Sequence, residues 1–194
     1  MFYIPFGLMG YSNEICFKYN AAEAKKQWLE TSKAANVDPK FEIRFLVFVS
    51  PERMNFVEQI TADIERSMGV KVKIVNHFKV STPARADEYD FFYYNYSPDF
   101  THPASLLDFF TNNKEARIQE NFPDYNSAVD ALKQAQTDKE IVEKTVNAQN
   151  ILLIKHKAIV PLFSFTNMMM RSKRVKAAFT DPLGVLRLES VELY

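Results

Sequence analysis

Phe41-Glu42-Ile43-Arg44-Phe45-Leu46-Val47-Phe48-Val49 is the stretch that decides the fold. It is almost unbroken Phe, Ile, Leu and Val, which suits a strand covered on both faces rather than one with a wet side. Ser50 and Pro51 follow at once as a helix start, with serine as the cap and proline at the first position. Phe56, Val57, Ile60, Ile64 and Met68 then keep the spacing of one helical face until Gly69 stops it. Beyond the glycine, Val70, Val72 and Ile74 alternate with Lys71 and Lys73, the two-residue period of a strand. Strand, helix and strand within about 35 residues make a right-handed crossover unit.

Outward from this unit the same reading extends to both ends. Ala21 to Ala35 is rich in helix formers, with Trp28 and Leu29 as apolar anchors, and Val37-Asp38-Pro39 ends it. Residues 1–20, broken by Pro5, Gly7 and Gly10, form a lead-in, and residues 21–194 read as one domain. Downstream, Tyr89 to Tyr96 is a third strand, closed by Ser97-Pro98-Asp99. Pro103 opens a short helix through Phe110, and a polar connection runs to Asn126. Helices are expected from about Ser127 to Gln136 and from Asp138 to His156, the second turning Val142, Thr145, Gln149 and Leu152 or Leu153 inward. Ile159 to Phe165 reads as a fourth strand, at an edge or irregular because of Pro161. The tail from Met168 shows no clear period. The expected class is α/β, a mixed sheet flanked by helices.

Composition narrows the function. The chain has 194 residues, 47% of them hydrophobic, which suits a folded domain with a sizeable core. Lys plus Arg equals Asp plus Glu at 24 each, so no long-range field draws in nucleic acid. Cys16 is the single cysteine and has no internal disulfide partner; a buried free thiol is expected. No stretch approaches the about 18 to 20 apolar residues of a membrane span. His77, His102 and His156 lie too far apart in sequence for metal-ligand spacing, and neither a glycine-rich phosphate loop nor a Gly-x-Ser-x-Gly elbow is present. No catalytic residue, metal or cofactor is expected. The paired acids Asp87-Glu88 and Asp63/Glu65, and the basic cluster Arg171, Lys173, Arg174 and Lys176, read as solvated surface.

Tyr93-Tyr94-Asn95-Tyr96-Ser97-Pro98-Asp99-Phe100 is chemically different. A carboxylate flanked by aromatic rings at a strand end suits a cation: rings offer their negative faces, the carboxylate a charge-assisted hydrogen bond. Ligands of open α/β sheets bind outside the carboxyl ends of strands, which fits Asp99, Tyr96, Asn95, Tyr94, Tyr93 and Phe100 as ligand-binding residues. The alternative reading makes Asp99 a helix cap and the tyrosines core.

At this point the chain resembles the C-terminal half of the solute-binding proteins that serve oligopeptide, dipeptide and nickel ABC importers. The features carrying the resemblance run in order from Tyr19 to Leu193: Tyr19, Asn20, Ala24 and Lys25 at a helix start; the strand 41–49; Gly-Val-Lys-Val-Lys-Ile from Gly69; Glu88-Tyr89-Asp90-Phe91 leading to Asp99 and Pro103; Ala158-Ile159-Val160-Pro161-Leu162; and Asp181-Pro182-Leu183-Gly184. In that family a strand ending in Gly-Trp leads to an Asp that, in several peptide-binding members, holds the ligand's amino terminus. By position that Asp is Asp99, the Trp is Tyr96 and the Gly is Asn95, so an aromatic wall is kept with altered size and polarity. No arginine of this chain is placed on a ligand carboxylate by the resemblance; Arg53 and Arg85 come into consideration only because they lie near strand ends. The resemblance implies a type II periplasmic-binding-protein lobe that closes on a peptide or related small solute with an N-terminal lobe supplied from outside this chain. It also implies a permease partner and a periplasmic or extracellular, membrane-associated setting, with the signal or anchor not in this chain. Its alternative is the ligand-sensing domain of a transcription regulator with the same fold.

Overall fold

In a computed structural model, residues 4, 8–12, 18–78, 85, 87–112, 121–163, 170, 172–176, 179–180, 186–187 and 191–193 are described. Two compact units emerge, one of residues Lys18–Asn95 and one of Met1–Phe17 with Tyr96–Tyr194.

In the first unit, β1 (Glu42–Val47) lies between β2 (Lys71–Asn76) and β3 (Phe91–Phe92), all three parallel. The unbroken apolar run is explained by this central place. Phe45, Val47 and Val49 pack on one face with Val57 of α2 (Met54–Met68), while Leu46 packs on the other with Tyr89. Pro51–Arg53 forms a 3-10 turn after Ser50, so α2 starts three residues later than the Ser-Pro signal, and the Ser50 side chain makes no capping bond. Gly69 closes α2 at φ +75°, a left-handed conformation that glycine adopts without steric cost. Helix α1 (Ala21–Ala34) starts where Asn20 Oδ1 accepts from the Glu23 N–H at 3.0 Å. Trp28 stacks on Phe41 and donates from Nε1 to the Pro39 carbonyl at 3.0 Å.

The third strand is shorter than the sequence suggests. Only Phe91 and Phe92 pair with β1 as strand, although the Asp90 and Tyr93 N–H groups still donate to the Arg44 and Leu46 carbonyls. Asp90 spends its carboxylate on Arg44, whose Nη2 lies 2.9 Å from Oδ1, and beyond Tyr93 the backbone leaves the ladder.

In the second unit, α3 (Ala104–Asn112), α4 (Pro123–Lys133) and α5 (Asp138–Gln149) enclose a core that includes Leu106, Leu107, Phe110, Tyr125, Val129, Leu132 and Leu152. Helix α4 begins at Pro123, four residues before the expected start, because a proline at the first helical position lacks only an N–H that would have no partner there. Thr137 and Glu140 form a reciprocal capping box at the head of α5. The expected single helix to His156 changes hydrogen-bond pattern at Asn150, becoming a π-turn over Asn150–Lys155. Its inner side is Ile141, Thr145, Ala148, Gln149, Leu152 and Leu153; Val142, expected inside, is 40% exposed. Gln149 is buried and donates to the Gly10 carbonyl at 2.9 Å, while its Oε1 accepts from Ile4 N–H at 3.4 Å, tying part of the lead-in to this unit. Gly10 sits at φ +81°, and a Cβ there would collide with the Thr145 side chain.

Residues 159–163 form no strand, and 164–165 lie outside the described residues. Pro161 brings no backbone donor to a ladder. The unperiodic tail instead holds two short antiparallel ladders, β4 (Val175–Lys176) with β7 (Glu192–Leu193) and β5 (Phe179–Thr180) with β6 (Leu186–Arg187). Cys16, Arg171 and Asp181-Pro182-Leu183-Gly184 lie outside the described residues.

Two contacts hold the helices of the second unit in register. The buried Tyr125 hydroxyl donates to the Leu107 carbonyl at 2.7 Å, joining α4 to α3. Asp124 accepts from Lys155 Nζ at 2.8 Å and meets His156 Nε2 at 2.9 Å, joining the start of α4 to the end of the π-turn, where the His156 ring also stacks on Phe122. Tyr125→Phe leaves the Leu107 carbonyl without that donor and is expected to destabilise the protein by about 1–3 kcal/mol in urea unfolding. Lys155 first, then His156, hold the Asp124 carboxyl at about 2, below its ordinary 3.8. A carboxyl lowered in the folded state contributes its stability above the ordinary value and loses it as pH falls through the folded value. Urea titrations at pH 7, 4 and 2 should show Asp124→Asn less stable than the parent at pH 7, with a shallower loss of stability between about pH 4 and pH 2.

Candidate functional site

Three of the six site residues expected from sequence come together in the second unit. Tyr96, Asp99 and Phe100 line an open depression of about 560 Å³ with Ala104, Ser105, Asp108, Phe109, Asn112 and Lys133. The other three, Tyr93, Tyr94 and Asn95, belong to the first unit. There Tyr93 packs edge-on to Phe56 at 5.5 Å, half-buried with the β1–α2 core, and burial pushes its phenol up despite the opposing field of Arg53. Tyr94 meets Phe92 edge-on and is 45% exposed, and Asn95 is exposed.

Asp99 does not cap α3. The first turn of that helix is served by His102, whose Nδ1 accepts from the Ala104 N–H at 3.1 Å and whose carbonyl accepts from the Ser105 N–H at 3.0 Å. Asp99 is held through its backbone instead, its N–H donating to the Ser105 hydroxyl at 2.9 Å. The carboxylate is exposed, and among the described residues it accepts one hydrogen bond, from the Tyr96 hydroxyl at a long 3.4 Å. Tyr96 stacks on Phe109 with ring centroids 4.3 Å apart, which fixes the aromatic wall beside the carboxylate, and Phe100 adds a half-exposed ring. The arrangement offers one fixed negative charge, little compensated, among ring faces: the chemistry of an ammonium site.

The depression also holds residues that the sequence reading missed. Ser105, Asp108, Phe109 and Asn112 follow the i, i+3, i+4, i+7 spacing of one face of α3, a signal present in the sequence. Lys133 arrives from the last turn of α4, and its Nζ lies 2.5 Å from Asp108 Oδ1. Burial disfavours the Asp108 charge, yet Lys133, with Thr111 and Asn112, outweighs it and holds the carboxyl below its ordinary value. Of the two arginines considered for a ligand carboxylate, Arg85 grips Asp87 with Nε and Nη2 at 3.1 and 2.8 Å, and Arg53 is exposed. Among the described residues no cluster of three or more His, Cys, Asp or Glu side chains is arranged to hold a metal ion, and no helix is long and apolar enough to cross a membrane.

No family model matches the chain. It is 25% identical over 175 residues to the dipeptide-binding protein DppE of Bacillus subtilis, covering 89% of this chain and 32% of that protein. Among solved structures it is similar to the murein tripeptide binding protein MppA of Escherichia coli, with TM-score 0.75, 19% identity, and coverage of 97% of this chain and 38% of that one. The substrate-binding domain of an oligopeptide ABC transporter from Bacillus anthracis matches with TM-score 0.70 and 23% identity, over 93% of this chain and 36% of the other. Peptide-bound OppA of Listeria monocytogenes matches with TM-score 0.67 and 21% identity, over 90% and 34%. The chain is thus homologous to a dipeptide-binding protein, and its α/β fold is that of the type II periplasmic binding proteins among these structures. It spans about a third of the length of these relatives. These relatives are named as binding proteins or a substrate-binding domain, and the transcription-regulator reading finds no support among them.

Proposed function

We propose that this homologue of peptide-binding proteins is the C-terminal lobe of the substrate-binding component of an ABC importer, and that Asp99 receives the amino terminus of a peptide. The observation that carries the reading is the Asp99 carboxylate itself. It stands exposed in a depression, is released from capping by His102, and has a single long hydrogen bond from Tyr96 among the described residues. A protonated amine is the partner that satisfies such a group: it donates up to three hydrogen bonds and carries the opposite charge. Tyr96, stacked on Phe109, supports the same cation through its ring. Tyr93, Tyr94 and Asn95 remain part of the proposed ligand-binding segment, as does Phe100.

On this reading the N-terminal lobe, carried outside this chain, covers the ligand and excludes water by hinge closure, which strengthens the charged contact. The further partner is the importer's permease, and the setting is periplasmic or extracellular, at the membrane. The chain's formal net charge of +0 agrees with a receptor for small solutes rather than for nucleic acid.

Calorimetric titration of the full-length gene product with tri-alanine tests the role of Asp99. Asp99→Asn keeps the shape and removes the charge, and is expected to weaken binding by about tenfold or more, as for a hydrogen bond to a charged group. N-acetyl-tri-alanine should lose affinity for the parent protein and gain nothing from the variant. Unchanged affinity of tri-alanine for Asp99→Asn would contradict the assignment.

A further inference from the structure

The depression has a second pole, of opposite sign. Three charged side chains line it, Asp99, Asp108 and Lys133. Asp108 is well satisfied: its Oδ1 accepts from both Lys133 Nζ and the Thr111 hydroxyl at 2.5 Å. Lys133 is not. Its ammonium carries three donors, of which the bond to Asp108 uses one. Asp130 stands 3.8 Å away, beyond good hydrogen-bond distance, and no other partner of Nζ is seen among the described residues. The Lys133 side chain is 40% exposed and lines the depression, so its remaining donors are within reach of a ligand there.

Both poles are attached to one face of α3. Ser105 binds the backbone of Asp99, and Asp108, which holds Lys133, lies three residues further along the same helical face. Three residues advance about 4.5 Å along a helix axis. An extended peptide advances about 3.3–3.6 Å per residue. A peptide whose amine sits on Asp99 and whose chain runs along α3 brings the side chain of its first or second residue toward Lys133. The ring wall of Tyr96 and Phe109 lines the same depression.

We propose that Lys133, oriented by Asp108, is a specificity-determining residue that favours peptides with an acidic side chain at one of their first two positions. The inference rests on the peptide-binding reading of the site. The Asp108 carboxylate then acts as an internal competitor, occupying the ammonium when the ligand is neutral and sharing it when the ligand is acidic. The same ion pair could merely staple α3 to α4, and the two roles differ in what the variants do.

The test compares tri-alanine, Glu-Ala-Ala and Ala-Glu-Ala binding to the full-length gene product by calorimetry, with thermal unfolding of each variant as a check on folding. The parent should favour the better acidic peptide over tri-alanine by about fivefold, the scale of a partly exposed ion pair. Lys133→Gln should bring that ratio to one, Lys133→Arg should keep it, and Asp108→Asn should raise it by releasing the ammonium. A ratio of one in the parent, or Lys133→Gln and Asp108→Asn moving the ratio in the same direction, would overturn this inference. Tri-alanine binding that still depends on Asp99 would then leave the broader reading standing. Failure of the parent to bind any of the three peptides would overturn both.

Discussion

The hydrogen bond from the Asp99 N–H to the Ser105 hydroxyl, 2.9 Å long, fixes the carboxylate against the first turn of α3 without consuming it. Had the side chain capped the helix, its charge would have been spent on backbone N–H groups. His102 takes that task through its ring nitrogen and its carbonyl, so the Asp99 carboxylate remains exposed. The rest of the second unit serves this placement. Tyr125 joins α4 to α3 through the Leu107 carbonyl, and Lys133 bridges from α4 to Asp108 one turn beyond Ser105. Burying Leu106, Leu107 and Phe110 then anchors the opposite side of the helix that carries Ser105, Asp108, Phe109 and Asn112.

The first unit follows a different constraint. A central parallel strand has no wet face, so β1 must bury alternate residues in opposite directions. Phe45, Val47 and Val49 meet Val57 on one side, and Leu46 meets Tyr89 on the other. That requirement writes a continuous apolar run into the sequence, which is why β1, α2 and β2 were legible from composition and spacing alone. Gly69 was legible for the same kind of reason: a left-handed helix end favours a residue without Cβ.

Elsewhere the sequence signal and the structure part at definable points. The aromatic run 89–96 suggested a long strand, yet Tyr and Phe favour strands and ring clusters alike, and beyond Tyr93 the backbone leaves the ladder. The π-turn at Asn150–Lys155 keeps the apolar density of a helix, so nothing in Ile151, Leu152 and Leu153 announces the change in hydrogen bonding. Ile159–Phe163 has strand composition, but Pro161 brings no donor to a ladder. Within the depression, Asp99, Tyr96 and Phe100 are legible as a group because they are neighbours in sequence. The stripe Ser105, Asp108, Phe109 and Asn112 is visible as helical spacing, whereas Lys133 depends on how two helices pack and leaves no trace in either one alone.

Asp99 as the anchor of a ligand amine is tested most sharply by a crystal structure of the full-length gene product grown with a short unblocked peptide. The ligand's ammonium nitrogen is expected about 3 Å from a carboxylate oxygen of Asp99, the length of a charge-assisted hydrogen bond, with the ring of Tyr96 beside it. An amino terminus held by a different carboxylate, or an Asp99 side chain bonded only to protein backbone, would contradict it.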